Sequence, residues 1–76
     1  MDRVLFDYAK LKGRITEKYG TQKAFSRLLG ISETALTTKL SGKAYFSQPQ
    51  VEKSAGLLDI PLGEIGIFFY TVSSIN

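Results

Sequence analysis

The sequence contains no cysteine and no histidine. Without cysteine, the 76-residue chain has neither disulfides nor a thiolate metal site. Without histidine, it lacks the commonest general base and the commonest zinc ligand. The carboxylates do not cluster in one segment, and the glycines form neither a phosphate loop nor a dinucleotide fingerprint. We therefore expect no enzymatic activity, no catalytic residue, no metal or cofactor and no small-molecule substrate.

Long apolar runs are also missing. The longest, from Ile65 to Val72, is much shorter than the ~20 residues that span a bilayer, and Gly66 interrupts it. The chain begins Met1-Asp2-Arg3 without the long apolar core of a signal peptide. Together with the lack of cysteine, this predicts a cytoplasmic protein with no membrane partner.

The charge is unevenly distributed along the chain. Residues 1–53 contain all ten Lys and Arg with five acids, a net charge of +5. Residues 54–76 contain only Asp59 and Glu64, a net charge of −2. This favours one face for a polyanion and another face for a different contact, although a solvated surface with uneven charge is the simpler alternative.

The first half of the chain has the pattern of three short helices. Each is predicted to begin at a polar N-cap and to end at a glycine. These boundaries are Asp7 to Gly20, Thr21 to Gly30 and Ser32 to Gly42. Apolar residues recur at helical spacing within each helix, so the three stripes are expected to face a common core.

Two further helices are predicted in the second half. Ser47 and Gln50 fit a capping box that opens the fourth, and Pro61 is placed to open a short fifth. The apolar ending, residues 66–76, suits either a buried helix end or a strand. The predicted fold is all-α: one compact five-helix domain, residues 1–76, whose ending closes the core or forms a short extension. The predicted core consists of Leu11, Ile15, Phe25, Leu28, Leu36, Leu40, Val51, Ala55, Leu58 and Ile65.

Residues 21–42 combine two of these helices around a glycine turn. Gly30 can adopt a left-handed conformation and redirect the second helix across the first, the geometry of a helix-turn-helix. The segment resembles the helix-turn-helix of the lambda-repressor and Cro family. The match covers Gln22, Phe25, Leu29, Gly30 and Leu36, and Ser26 stands where that family usually has alanine.

A wider resemblance covers most of the chain. The stretches FDYAKLKGRITEKYGTQKAFSRLLGIS and KLSGKAYFSQ are similar to small Cro-like regulators of temperate phages of Gram-positive bacteria. Some members of that group are similar to modulators of repression, which act by binding the phage repressor. The resemblance implies a lambda-repressor-like fold and a transcriptional regulator. Its partners would be double-stranded DNA together with a second copy of the chain, or a partner repressor protein.

The second helix of this segment, residues 33–41, is the predicted recognition helix. With Leu36 and Leu40 facing the core, the hydroxyl side chains point outward at roughly 100° per residue. Serine and threonine can exchange hydrogen bonds with base edges in the major groove, and glutamate can accept one from cytosine. Solvation, and for the glutamate the helix dipole, are the alternatives. The candidate base-reading residues are Glu33, Thr34, Thr37, Thr38 and Ser41.

Candidate phosphate contacts flank this helix. Helix N-termini offer free backbone N–H groups, and lysines supply positive charge. Each basic residue taken singly is as well explained by solvation. The candidates are Thr21, Gln22, Lys23, Ser32, Lys39 and Lys43.

The apolar ending carries a second hypothesis. Ile67, Phe68, Phe69 and Tyr70 are candidates for an interface with a second copy or with a partner repressor, and closure of the core by the two phenylalanines is the alternative. The first hypothesis is therefore a sequence-specific DNA-binding transcriptional regulator of Cro-like phage type. The alternative is a protein-binding modulator or antirepressor that acts on a partner phage repressor.

Overall fold

The computed structural model describes residues 4–75. In chain order its elements are β1 (Val4–Phe6), α1 (Ala9–Tyr19), α2 (Gln22–Leu29), α3 (Glu33–Leu40), α4 (Gln48–Leu57), a 3-10 helix (Leu62–Glu64), α5 (Ile65–Phe69) and β2 (Val72–Ile75). The predicted all-α class with five helices is confirmed. The expected lack of a signal peptide concerns residues 1–3, which with Asn76 lie outside the described residues.

The lengths of the helices determine whether any of them could cross a membrane. The longest helix between residues 4 and 75 is α1, with 11 residues. A bilayer span needs ~20 residues. No helix in this part of the chain is therefore long and apolar enough to cross a membrane.

Three of the predicted helix starts are confirmed by their caps. The hydroxyls of Thr21 and Ser32 each accept a hydrogen bond from the backbone N–H three residues later, at 3.1 and 3.0 Å. Ser47 and Gln50 form the complete capping box, in which each side chain accepts from the other's backbone N–H. Such caps satisfy N–H groups that have no partner within the helix.

The first helix starts one residue later than predicted. Tyr8 occupies the N-cap position of α1, without a side-chain capping bond. Asp7 is instead one residue outside the helix, where its carboxylate accepts a 2.8 Å hydrogen bond from the N–H of Ala9. Asp7 still satisfies a free N–H of the first turn, from outside the helix rather than from its cap.

A two-stranded antiparallel sheet joins the two ends of the described chain. Val4 pairs with Ile75, Phe6 pairs with Val72, and an irregularity in register separates Leu5 from Phe6. β1 is absent from the sequence prediction. The apolar ending, predicted to be helix or strand, contains both, because α5 stops at Phe69 and β2 follows it.

The core lies where the five helices meet. Its buried apolar residues are Tyr8, Leu11, Ile15, Phe25, Leu29, Leu36, Leu40, Val51, Ala55, Leu58, Ile60, Phe68 and Phe69. Ile65, predicted to be core, is half-buried and packs against this cluster.

The prediction for Leu28 is wrong. Its side chain is 47% exposed, whereas Leu29 is 5% exposed. Phe25 and Ser26 fix the inward direction of α2, and Leu29 follows them by four and three residues. Leu28 is therefore turned by roughly 100° out of the core.

Candidate functional site

The turn between α2 and α3 sets the direction of the exposed helix. Gly30 has φ +87° and ψ 25°, a left-handed conformation that favours glycine. The N–H groups of Gly30 and Ile31 both donate to the carbonyl of Ser26, at 2.9 and 3.1 Å, which closes α2. Ser32 then caps α3, so two eight-residue helices are joined by a three-residue turn. They occupy the residues for which the helix-turn-helix is predicted.

One face of α3 borders an open groove of about 360 Å³. Leu36 and Leu40 point into the core, at 0% and 4% exposure, so the rest of the helix is turned outward. The groove is lined by Glu33, Thr34, Thr37, Thr38, Ser41 and Lys43. The structure thus brings all five candidate base-reading residues together on a single surface, here called the α3 face. Their role in base readout stays a prediction.

The hydroxyl protons of this face are partly engaged within the helix. Thr38 Oγ1 donates to the carbonyl of Thr34 at 2.9 Å, and Ser41 Oγ donates to the carbonyl of Thr38 at 2.8 Å. These two oxygens then remain available to the outside as acceptors. The carboxylate of Glu33, also exposed, is an acceptor as well. A ligand on the α3 face therefore meets mostly hydrogen-bond acceptors and is expected to bring donors.

Some of the six candidate phosphate contacts already form hydrogen bonds within the protein, and others are exposed. Thr21 and Ser32 use their hydroxyls as helix caps. Lys39 Nζ donates to the carbonyl of Tyr45 at 3.0 Å, which draws its charge toward the connection after α3. Lys23 and Lys43 are exposed.

Gln22 is the sixth candidate, and it lies beside the α3 face. Its Oε1 is 3.4 Å from the hydroxyl of Thr37, a long contact between α2 and α3. The structure brings Gln22 and Lys43 to the α3 face, and a phosphate role for each of the six candidates stays a prediction.

The proposed C-terminal interface needs a correction. Phe68 and Phe69 are each 1% exposed and belong to the core, so neither forms part of an exposed apolar surface. The guanidinium of Arg14 lies 5.1 Å from the centre of the Phe68 ring. Ile67 and Tyr70, at 47% and 46% exposure, are the interface candidates that remain on the surface. One turn of helix sends adjacent residues to different sides, which a continuous apolar run conceals.

Sequence reasoning missed an aromatic pocket. A cavity of about 200 Å³ is lined by Phe6, Tyr8, Tyr45, Phe46, Val51, Phe69 and Tyr70. These residues come from β1, the start of α1, the connection after α3, α4 and the end of α5. In the sequence, these aromatic residues occur in three short stretches, 6–8, 45–46 and 69–70, which is the one signal of the pocket. The stretches are brought together only by the sheet and by the end of α5.

Rings in the pocket meet edge to face. Phe6 lies 5.7 Å from Tyr45 and 5.6 Å from Tyr70, and Phe46 lies 5.5 Å from Tyr8. Burial raises the pKa of the Tyr8 hydroxyl above its ordinary value, and the neighbouring hydroxyls of Tyr70 and Tyr45 raise it further. Three tyrosines therefore contribute phenol groups to the lining of the pocket.

The fold and surfaces described above define a small all-α domain built around an exposed helix face and an aromatic pocket. The chain belongs to the family described as protein of unknown function (DUF739), whose model matches residues 4–72. It is also similar to the solution structure of the modulator of repression (MOR) of the temperate bacteriophage TP901-1 from Lactococcus lactis. That similarity has 34% sequence identity and a TM-score of 0.75, and covers 86% of this chain and 88% of that chain. A comparison with curated proteins found no match.

These comparisons separate the two resemblances drawn from the sequence. The similarity to a phage modulator of repression is confirmed over most of the chain. The resemblance of residues 21–42 to the lambda-repressor and Cro family stays a prediction.

Proposed function

We propose that this protein is a phage-type regulator that modulates repression by binding a partner repressor protein. The observation that carries the proposal is the similarity to the modulator of repression of phage TP901-1, at 34% identity over 86% of the chain. Fold alone would not support a shared function. Here the likeness in sequence extends over nearly the whole domain and accompanies the likeness in fold.

The charges of the α3 face support a protein partner over DNA. Binding to duplex DNA is dominated by contacts with several phosphates. Among the described residues, Lys43 is the one lysine that lines the groove, and Glu33 of the same lining would repel phosphate. Lys39 is tied to the carbonyl of Tyr45. A protein surface that offers lysine, arginine or amide donors would instead meet the acceptors of Thr38 and Ser41.

The experiment uses a helix-turn-helix repressor encoded by the same phage or prophage. Calorimetry is expected to show a complex between the chain and that repressor. Anisotropy of the labelled operator is expected to show that the chain changes repressor occupancy without binding the duplex itself at about 150 mM salt. Thr37→Arg, on the α3 face, should weaken the complex, because it places a long cation opposite the hydrogen-bond donors expected on the repressor. Thr16→Arg, exposed on α1, is the matched control and should leave binding unchanged.

A second candidate function is sequence-specific binding of double-stranded DNA by a homodimer, with residues 33–41 in the major groove. The observation in its favour is the groove itself, where a short helix exposes small hydroxyl side chains. The two functions are distinguished by the behaviour of the isolated chain on duplex DNA. Both are binding functions without catalysis or a cofactor, and both operate in the cytoplasm.

The DNA-binding candidate makes a distinct mutational prediction. Lys43→Ala should weaken binding about equally on all duplexes and reduce the salt slope by ~1. Thr38→Ala should instead change which sequences are preferred, by ~1–3 kcal/mol for a good contact. Selection of bound duplexes from a random pool measures both effects. If no preferred sequence is recovered, sequence-specific DNA binding is excluded and repressor binding remains as the proposed function.

A further inference from the structure

The aromatic pocket has the size of a ligand site. Its volume is about 200 Å³. An apolar protein cavity of ~150 Å³ is large enough to hold benzene. Tyr8, Val51 and Phe69 form buried parts of the lining, whereas Tyr45 and Tyr70 are nearly half exposed, so the pocket reaches from the core to the surface. We propose that this pocket binds one small neutral aromatic molecule that carries a single hydrogen-bonding group, of the phenol or indole class.

The residues that line the pocket favour a ligand that is neutral and aromatic. Of the seven lining residues within the described chain, six are Phe or Tyr and the seventh is Val51, and none of these seven is charged. Removing an ionised group from water into such surroundings carries a large cost that nothing in the lining offsets. The rings of Phe46 and Phe69 are 5.6 Å apart at 88°, an edge-to-face pair. An entering ring can continue that arrangement, which planar aromatic groups prefer and saturated rings cannot reproduce.

The three tyrosines of the lining are the reason why the proposed ligand carries one polar group. Tyr45 and Tyr70 pack on either side of Phe6, with ring centres 5.7 and 5.6 Å from it. Their hydroxyls, and that of Tyr8, can both donate and accept hydrogen bonds. The raised pKa of Tyr8 follows from its burial and from the closeness of the other two. One O–H or N–H on the ligand is expected to form a hydrogen bond with a tyrosine hydroxyl of the lining, and the rest of the molecule is expected to lie in apolar surroundings.

This inference does not depend on the proposed function, because it requires neither a repressor nor DNA. The two sites are nevertheless close in the chain. Lys43 lines the α3 groove, and Tyr45 and Phe46 line the pocket. The hydrogen bond from Lys39 to the carbonyl of Tyr45 links α3 to the pocket wall.

The experiment titrates the full chain with phenol, indole, cyclohexanol and benzoate, following backbone amides by NMR. Phenol and indole are expected to give saturating shifts at residues 5–8, 45–51 and 68–71, with dissociation constants of roughly 0.1–1 mM for ligands of so few atoms. Cyclohexanol tests the need for an aromatic ring, and benzoate tests the need for neutrality. Both should bind at least tenfold more weakly than phenol.

Two substitutions on the exposed wall test the position of the site. Tyr70→Phe should weaken phenol severalfold but leave toluene binding unchanged, because it removes only a hydroxyl. Tyr70→Ser should weaken both phenol and toluene at least tenfold. Ile67→Ser is the matched control, since Ile67 is equally exposed on α5 but lies outside the lining. Thermal midpoints near that of the wild type establish that the variants are folded.

Several outcomes would overturn the proposal. Shifts that do not saturate, or equal loss in the Tyr70→Ser and Ile67→Ser variants, would mean that the pocket is not a ligand site. Self-association that Tyr70→Ser abolishes, with no phenol binding, would assign the pocket to a second copy of the chain. Loss of repressor binding in Tyr70→Ser, again with no phenol binding, would assign it to a side chain of the partner. Repressor binding by the wild-type chain is measured separately, so failure of the proposed function is recognised independently.

Discussion

Arg14 Nη1 donates a 2.7 Å hydrogen bond to the backbone carbonyl of Leu58, the residue at the C-cap of α4. The same guanidinium covers the buried ring of Phe68 at 5.1 Å. One side chain of α1 therefore satisfies a carbonyl at the end of α4 and packs on α5. The residue belongs to the basic segment of the chain, residues 1–53, but its contacts are structural.

Replacing Arg14 by Ala is expected to lower the free energy of unfolding by roughly 1–3 kcal/mol, because both contacts are lost. The free energy of unfolding of Arg14→Lys should lie between those of the wild type and Arg14→Ala, since lysine keeps the charge but not the planar guanidinium group. Urea denaturation measures the effect. Lys12→Ala, exposed on the same helix, is the control and should change stability by less than about 0.5 kcal/mol. Equal stability of the Arg14→Ala and Lys12→Ala variants would contradict the structural role.

Leu36 and Leu28 form a matched pair for the core. Leu36 is 0% exposed and Leu28 is 47% exposed. Leu36→Ala should cost roughly 2–5 kcal/mol, a large share of the stability of a small domain. Leu28→Ala should cost less than about 1 kcal/mol, because little apolar area is removed from water at that position. Thermal unfolding of both variants tests the rotational positions of α2 and α3, and a reversed order would show that they are misplaced.

Ser54 and Ser26 test the cost of a buried hydroxyl. Ser54 is 0% exposed and its Oγ has no hydrogen-bond partner among residues 4–75, whereas Ser26 Oγ donates to the carbonyl of Lys23 at 2.7 Å. Ser54→Ala should raise the free energy of unfolding by roughly 0.5–2 kcal/mol, since it removes an unsatisfied group and improves helix propensity. Ser26→Ala loses a made bond and should be neutral or slightly destabilising. Chemical denaturation of the two variants compares them, and a loss at Ser54 would show that its hydroxyl is satisfied in solution.

The ion pair between Lys18 and Asp59 predicts a pH dependence. A hydrogen bond from Lys18, and then its charge, hold the pKa of the Asp59 carboxyl below its ordinary range of about 3.9. The native state thus favours the ionised form. The contribution of this ion pair to stability is present above the ordinary pKa of the carboxyl, and it disappears as the pH falls through the lowered pKa of the folded state.

Asp59→Asn isolates that contribution. Asp59 has φ +54°, and asparagine tolerates this left-handed conformation equally well, so the charge is the main change. The thermal midpoint of the wild type should exceed that of the variant between pH 5 and 7, and the difference should shrink below about pH 4. Lys18→Met should reproduce the loss, and the double variant should add little to it. A difference that stays constant down to pH 2 would exclude the ion pair as its cause.

Local signals predicted the helices well. Thr21, Ser32 and Ser47 cap helices where the sequence places them, because a capping hydroxyl acts on N–H groups only two or three residues away. The α3 face was equally accessible to prediction, since two buried leucines fix the orientation of a short helix. Leu28 was misplaced because adjacent leucines leave the rotation of α2 ambiguous by one residue.

Features that depend on distant residues could not be predicted. The pairing of Val4 with Ile75 links positions at opposite ends of the sequence, and strands of three and four residues carry almost no periodic pattern. The aromatic pocket depends on that pairing, because β1 brings Phe6 beside Tyr70. The burial of Phe68 and Phe69 depends on where α5 stops, which an unbroken apolar run does not reveal.

The sheet that joins residues 4–6 to residues 72–75 also determines how the domain resists mechanical force. Val4 and Ile75 face each other at the end of an antiparallel ladder, so tension applied to them pulls the strands apart from that end. The hydrogen bonds are then loaded one after another, as in a zipper, and not all together as in shear. The helical core behind Phe6 and Val72 carries no load until the ladder has opened. We expect the strands to separate at low force in a single-molecule pulling experiment, before the helices unfold.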